Sequence, residues 1–280
     1  MKTTYNTKVF NYVDGQHIEL FKRSVSKHST DSEQMRQIEE NIRRTKELIN
    51  DTVTDDVFNA AEQFKQSDQE RTQEQIDHCL SVSMNRTKRQ IYHIARSNEW
   101  DYFITITIDR KQFNAADYDL TIKKLTTFLN NIRKRKAPDF KYLIVPELHA
   151  DKKNYHFHGM IANTGSCSFI PSGHYDDNGE IIYNWTDWKY GFTTATQIKD
   201  NGRVSSYITK YITKDTAQIL KNKKRYYCSK NVIRVEPELL NIPTDRFIEE
   251  CGEDFDYIKT VTIPGALQKV RYVEINNKIE

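Results

Sequence analysis

The run Tyr155-His-Phe-His-Gly-Met-Ile161 carries two histidines one residue apart, His156 and His158, inside an otherwise apolar stretch. Side chains at i and i+2 of a β-strand point to the same face. Both imidazoles therefore converge on one spot, as two ligands of one metal ion must. Polar side chains in a strand that otherwise faces a core need partners to offset their desolvation. Surface exposure or local hydrogen bonding also satisfies an isolated His-x-His pair, so the flanking sequence has to discriminate.

That flanking sequence is rich in strand signals. Asp101-Tyr-Phe-Ile-Thr-Ile-Thr-Ile-Asp109 alternates β-branched and aromatic residues with period two. Leu120, Lys124, Phe128 and Ile132, widened by Leu125 and Leu129, share one side of a helix expected from Ala116 to Lys136, with Pro138 just beyond its end. Strands are expected at 140–148, 154–162 and 191–198. The Gly-, Ser- and Asn-rich segment 163–184 reads as a loop or hairpin. Ser205–Leu220 reads as a helix. The order strand, helix, three strands, helix points to an α+β domain, with an antiparallel sheet carrying helices on one face.

On either side the pattern differs. Residues 1–29 fit a short hairpin around Asp14-Gly15. From Asp31 to Ser97 there is no Gly or Pro, and Met35, Ile38, Ile42 and Ile49 recur at helical spacing, so long helices with a thin apolar stripe are expected. The division is then a hairpin and helical region over 1–97, a central domain over 98–235, and an extension over 236–280 that packs on it.

The short link Ala150–Lys153 implies that the strands at 140–148 and 154–162 pair antiparallel. Glu147 then lies near His156 and His158. Two imidazoles and a carboxylate leave positions open on a divalent ion, as a catalytic site requires. His149 could share that face and is a weaker candidate. With no softer donors, Mg²⁺ or Mn²⁺ fits as well as zinc. A solvent-facing edge carboxylate also accounts for Glu147 alone. In a helix, Tyr207, Lys210, Tyr211 and Lys214 occupy i, i+3, i+4 and i+7, one face. A phenol is a competent nucleophile toward a metal-polarised electrophile, and nearby lysines hold phosphate. Tyrosines packed on the sheet with lysines reaching to water fit the same pattern.

Composition narrows the class. The net charge of +3 over 280 residues hides an asymmetry. Lys199–Lys230 holds nine Lys/Arg against two Asp, whereas Thr30–Asp77 holds thirteen Asp/Glu against six Lys/Arg. Cations interleaved with tyrosines suggest a polyanion surface, and a solvated basic face is the plain alternative. Arg203, Lys221, Lys223, Lys224 and Arg225 are the candidate contacts to such a polyanion, chiefly to its phosphates, and so to DNA where the partner is a nucleic acid. The 16 Tyr and 13 Phe argue against wholesale disorder. No window has the length of a membrane span, and residues 1–13 lack a signal peptide's apolar stretch. Four scattered cysteines without a Cys-x-x-Cys pair fit reduced thiols of the cytoplasm.

Together these stretches resemble the HUH endonucleases, the replication-initiation proteins of rolling-circle plasmids and single-stranded DNA phages. Phe103–Ile108 is similar to the family's first strand motif. Glu147-Leu-His149 with His156-Phe-His-Gly159 looks like its metal motif. Tyr207-Ile-Thr-Lys-Tyr211 matches the two-tyrosine nucleophile motif. The likeness spans about residues 100–235. It implies a central five-stranded antiparallel sheet with the metal site on it and the tyrosine helix alongside. It also implies a reaction on single-stranded origin DNA. The metal polarises the scissile phosphate, Tyr207 attacks to give a 5′-phosphotyrosyl enzyme and a free 3′-OH, and Tyr211 later rejoins the strand. Lys210 positions the phosphate, and Lys214 repeats the Tyr-x-x-Lys spacing for Tyr211. No Walker-type Gly-x-x-x-x-Gly-Lys-Ser/Thr is present, so helicase and polymerase are expected from a bacterial host. A transposase or relaxase with the same chemistry, or a non-catalytic single-strand-binding module, shares parts of the pattern.

Overall fold

The structure, a computed structural model, describes residues 2–28, 73–213, 216, 220, 223–251, 255–263 and 268–276. Its elements run β1 (Lys2–Tyr12), β2 (Gly15–His28), α1 (Gln73–Arg96), β3 (Tyr102–Ile108), α2 (Tyr118–Arg135), β4 (Lys141–Leu148), β5 (Tyr155–Ala162), β6 (Phe169–Tyr175), β7 (Ile181–Trp185), β8 (Gly191–Gln197) and α3 (Asn201–Ile208). After these come β9 (Tyr227–Cys228), β10 (Glu238–Leu240), α4 (Thr244–Cys251), β11 (Tyr257–Ile263) and β12 (Gln268–Asn276). Expected helices within residues 31–72 lie outside the described residues. The chain forms two compact units: Met1–Val9, Ile18–Cys79 and Glu238–Val273 make one, and Phe10–His17, Leu80–Pro237 and Glu274–Glu280 the other.

The strands of the first unit belong to a sheet ordered β10-β1-β2-β12-β11. The Asp14-Gly15 hairpin forms as expected, but with strands of 11 and 14 residues. Its partners come from the far end of the chain: Thr7 pairs with Leu240 and Val9 with Glu238. Asn6 reinforces the junction, donating to the Ile242 carbonyl at 2.7 Å and accepting from its amide at 2.9 Å. The consecutive division into 1–97, 98–235 and 236–280 contains no such pairing.

The second unit is built on an antiparallel sheet ordered β6-β7-β8-β3-β5-β4-β9. It has seven strands where the family resemblance implied five. The added strands are short or irregular. β9 has two residues, and β6 pairs with β7 with a register shift between Pro171 and Tyr175, so that of the two readings of this segment, loop or hairpin, the hairpin forms.

Helices cover both sheet faces, rather than the single face expected. Even-numbered residues of β3 and β4 (Ile104, Ile106, Ile108, Ile144) join Phe157 and Ile161 of β5 against Leu125, Phe128, Leu129 and Ile132 of α2, with Trp185 and Trp188 closing the cluster. On the other face Leu143, Val145, Met160 and Ala162 pack against Met84, Ile91 and Ile94 of α1 and Ile208 of α3. Period-two alternation divides the strands between two cores. α2 starts where Asp117 accepts a hydrogen bond from the Leu120 amide, and three cations fill its last turn, complementing the helix dipole.

The helix expected over Ser205–Leu220 is shorter and begins earlier. Asp200 caps it by accepting from the Arg203 amide, and the α-helix ends at Ile208. A 3₁₀ turn, Thr209–Tyr211, follows, and Ile212 leaves helical space at φ −85°, ψ 89°. Ser205 and Thr209 hydroxyls donate to the Asn201 and Ser206 carbonyls, the local competition that disfavours continuing a helix rich in Ser and Thr.

Candidate active site

β5 puts His156 and His158 on one face, and its neighbours complete a cluster. Antiparallel register sets Glu147 of β4 opposite His156, and Thr107 and Thr105 of β3 opposite His156 and His158. The ligand atoms of Glu147, His156 and His158 all lie within 4.8 Å of one another. Glu147 Oε2 is 2.9 Å from His156 Nε2 and 3.0 Å from His158 Nε2, and the two Nε2 atoms are 3.2 Å apart. Ligand atoms at adjacent positions around a cation with bonds near 2.1 Å stand about 3.0 Å apart in an octahedron and about 3.4 Å in a tetrahedron. The three side chains thus fit a divalent metal, whose identity this donor set leaves open.

Thr105 completes the arrangement. Its Oγ1 is 3.1 Å from His158 Nδ1, a contact that fixes the ring so that Nε2 faces Glu147 and His156. Sequence reasoning missed this residue as a partner. Its signal was present, since alternation in β3 gives Phe103, Thr105 and Thr107 a common face. Burial alone pushes the Glu147 carboxyl up, but hydrogen bonds and charge from His156 and His158 outweigh it and hold it down at about 2. Burial, aided by His156, keeps His158 below the ordinary histidine value despite Glu147, favouring the neutral form that binds metal.

Tyr211 meets this cluster directly, and Tyr207 is joined to it through Tyr211. The Tyr211 ring stacks on His158 with centroids 3.7 Å apart and planes at 14°. Its hydroxyl donates to the Tyr207 oxygen at 2.9 Å. Phe103 sits beside both, edge-on to Tyr207 at 5.5 Å and stacked with Tyr211 at 6.1 Å. The pair stays adjacent although the α-helix ends between its members, because the 3₁₀ turn continues the winding. The two phenols differ. Tyr207 is 43% exposed, whereas Tyr211 is half-buried. Burial, Tyr207 and Glu147 raise the Tyr211 phenol far above its ordinary value.

The basic residues divide into groups. The Lys210 ammonium lies 5.1 Å from the Tyr207 ring centroid. Arg203 is exposed one helical turn before Tyr207. Lys223 is already engaged with Asp119 at 2.9 and 3.0 Å. Lys224 and Arg225 line a cavity of about 490 Å³ beside edge strand β9, with Tyr142, Tyr226, Tyr227 and Arg234. None of the metal-cluster residues lines that cavity. Arg225 also donates to Ser83 Oγ at 2.9 Å. Lys214 and Lys221 lie outside the described residues. His149 stays at the rim, its ring centroid 5.4 Å from that of His156, and is not one of the three converging ligands.

Residues 101–216 match the model of a family described as replication-associated protein ORF2. The matched segment contains Glu147, His156, His158, Arg203, Tyr207, Lys210 and Tyr211. The match supports a part in DNA replication for a chain that is similar to this family over less than half its length. No curated protein and no solved structure matches the chain. Among the described residues no helix is long and apolar enough to cross a membrane.

Proposed function

We propose that this protein initiates rolling-circle replication by nicking and rejoining single-stranded origin DNA through a phosphotyrosyl intermediate, the chemistry of two-tyrosine HUH endonucleases. One observation carries the reading: Tyr211 stacks on the imidazole of a three-ligand cluster fit for a divalent cation, and its hydroxyl donates to Tyr207. A phenol packed on a sheet for stability alone has no need of such a neighbour.

Glu147, His156 and His158 hold Mg²⁺ or Mn²⁺, and the cation supplies charge stabilisation to a phosphate oxygen when bound. Tyr207, the more exposed phenol, attacks the phosphorus. Its O–P bond forms as the bond to the 3′ oxygen breaks, the phenolic proton is lost, and the leaving 3′ oxygen takes up a proton. Because Tyr211 donates to the Tyr207 oxygen, it helps carry negative charge as that phenol ionises. Lys210 and Arg203, on the same short segment, provide positive charge for phosphates. Tyr211 then serves as the second nucleophile, so that a strand end passes between neighbouring phenols without release. Ester exchange conserves the phosphodiester bond and needs no nucleotide hydrolysis. Lys224 and Arg225 contact the strand away from the reacting phosphate. A host helicase and polymerase, in the bacterial cytoplasm, open and extend the duplex.

Incubation with single-stranded origin DNA and Mn²⁺, followed by denaturing electrophoresis, tests the reading. Wild type gives a protein-linked strand, chelation abolishes it, and the Tyr207→Phe/Tyr211→Phe double variant gives none. A full yield of adduct from that double variant overturns the mechanism.

A further inference from the structure

Strand β8, Gly-Phe-Thr-Thr-Ala-Thr-Gln, reverses the usual placement of apolar residues. Its inward positions hold the small residues Thr193 and Ala195, which are buried, while its one large apolar side chain, Phe192, faces water and is 77% exposed. A half-buried strand ordinarily does the opposite. A single exposed apolar residue needs no explanation by itself. Its place in the sheet does. Register runs straight across four strands, from Glu147 to His156 to Thr107 to Phe192. Directly paired residues share a face, so Phe192 lies on the face of the candidate metal cluster. It stands two strand spacings from His156, roughly 10 Å between backbones. The floor between them is open: Thr105 and Thr107 are half-buried, and Thr194, opposite Thr105, is exposed.

The backbone beneath Phe192 is fixed. Gly191 has φ +148°, and a Cβ there would fall 2.2 Å from the Thr107 carbonyl oxygen. β8 is thus seated tightly on β3, and its first side chain is presented from a strand paired on both sides. Among the described residues no aromatic ring stacks on Phe192.

We propose that Phe192 is a stacking platform for one nucleobase of the single strand, next to the reacting phosphodiester. The proposal rests on single-stranded DNA being the substrate. An uncharged ring offers a π face that any base can cover, and hydroxyls of Thr107 and Thr194 flank the path for sugar and phosphate oxygens. Phe192 is a positioning residue. It orients the strand so that the phosphate one or two nucleotides away meets the cluster.

The test uses full-length protein and a short single-stranded oligonucleotide in chelator, so that no cleavage intervenes. The chain's three tryptophans, Trp100, Trp185 and Trp188, are buried, so Phe192→Trp adds an exposed reporter. Its emission is quenched on DNA binding if a base stacks. Phe192→Ala weakens binding about 5- to 100-fold, the range of one lost base stack. In wild type, moving one abasic nucleotide along the oligonucleotide weakens binding at a single position, and Phe192→Ala is indifferent to that position. The abasic series needs no variant to fold. Equal affinity of Phe192→Ala and wild type, absence of quenching in bound Phe192→Trp, or a flat abasic profile each overturns the platform. Adduct formation by wild type with Mn²⁺, run in parallel, reports separately on the nicking chemistry. An adduct with any of those three results refutes the platform alone, and no adduct with no DNA binding refutes both.

Discussion

Thr105 shows how one side chain can govern a site without touching substrate. Its hydroxyl at His158 Nδ1 selects which ring nitrogen faces the ligand cluster. Thr105→Val keeps the shape and removes that partner. Mn²⁺ affinity, measured by calorimetric titration, is expected to fall about 10-fold or more. The two phenols make a second case. Tyr211→Phe is expected to keep first-strand cleavage, since Tyr207 remains, but to lose strand rejoining. Tyr207→Phe loses the initial adduct. Electrophoresis of cleavage and rejoining products from each single variant separates the roles, and equal loss of the first adduct in both variants refutes the order. At this scale the sequence was highly legible for His156, His158 and Glu147, because a period of two and one short link fix their meeting. It was silent on the inequality of the tyrosines, which depends on what covers each ring.

At the scale of elements, Gly159 explains why the histidine strand sits where it does. A Cβ there would lie 2.7 Å from the Leu143 carbonyl and 2.7 Å from Ile144 Cγ1. A backbone oxygen cannot give way cheaply, so Gly159→Ala pushes β5 off β4 and disturbs the Glu147–His156 pairing. A loss of about 1–3 kcal/mol is expected, read as a lower denaturation midpoint with unchanged slope, together with weaker metal binding. The tyrosine segment teaches the converse lesson. Its spacing predicts one long helix, yet the α-helix stops at Ile208. Residues four apart are neighbours in either winding, so the tyrosines meet although the element was misjudged. The β6–β7 hairpin was one of two readings of 163–184, and Pro171, Gly173 and Gly179 left its strand bounds unmarked because turn chemistry masks strand alternation.

At the scale of the whole molecule, the second unit closes on a buried charge group. Arg96, 2% exposed, donates to Asp14 at 3.0 Å and to Glu274 at 3.1 Å, and Tyr92 donates to Glu274 at 2.7 Å. Three segments far apart in sequence meet there. Burial pushes the Glu274 carboxyl up, but hydrogen bonds and charge from His17, Tyr92 and Arg96 prevail and lower it from its ordinary 4.5. A carboxylate lowered in the folded state contributes stability above its unfolded value, and that contribution is lost as pH falls through the folded value. Glu274→Gln should therefore be less stable than wild type at neutral pH, and the gap should close on acidification below 4.5. Thermal unfolding across that range checks it, and a constant gap would sink the idea.

The strands β3, β4, β5 and β8, the pairing of β4 with β5 and the meeting of Glu147 with two histidines were set by the sequence alone. Alternation and short links are local properties, and local properties are written in neighbouring residues. Tertiary structure decided the rest: the C-terminal strands beside the N-terminal hairpin, helices on both faces of the seven-stranded sheet, and Tyr211 stacked on His158. Each of those joins residues whose separation along the chain carries no pattern. Only the burial of apolar surface, acting on the folded chain as a whole, selects which distant segments come together.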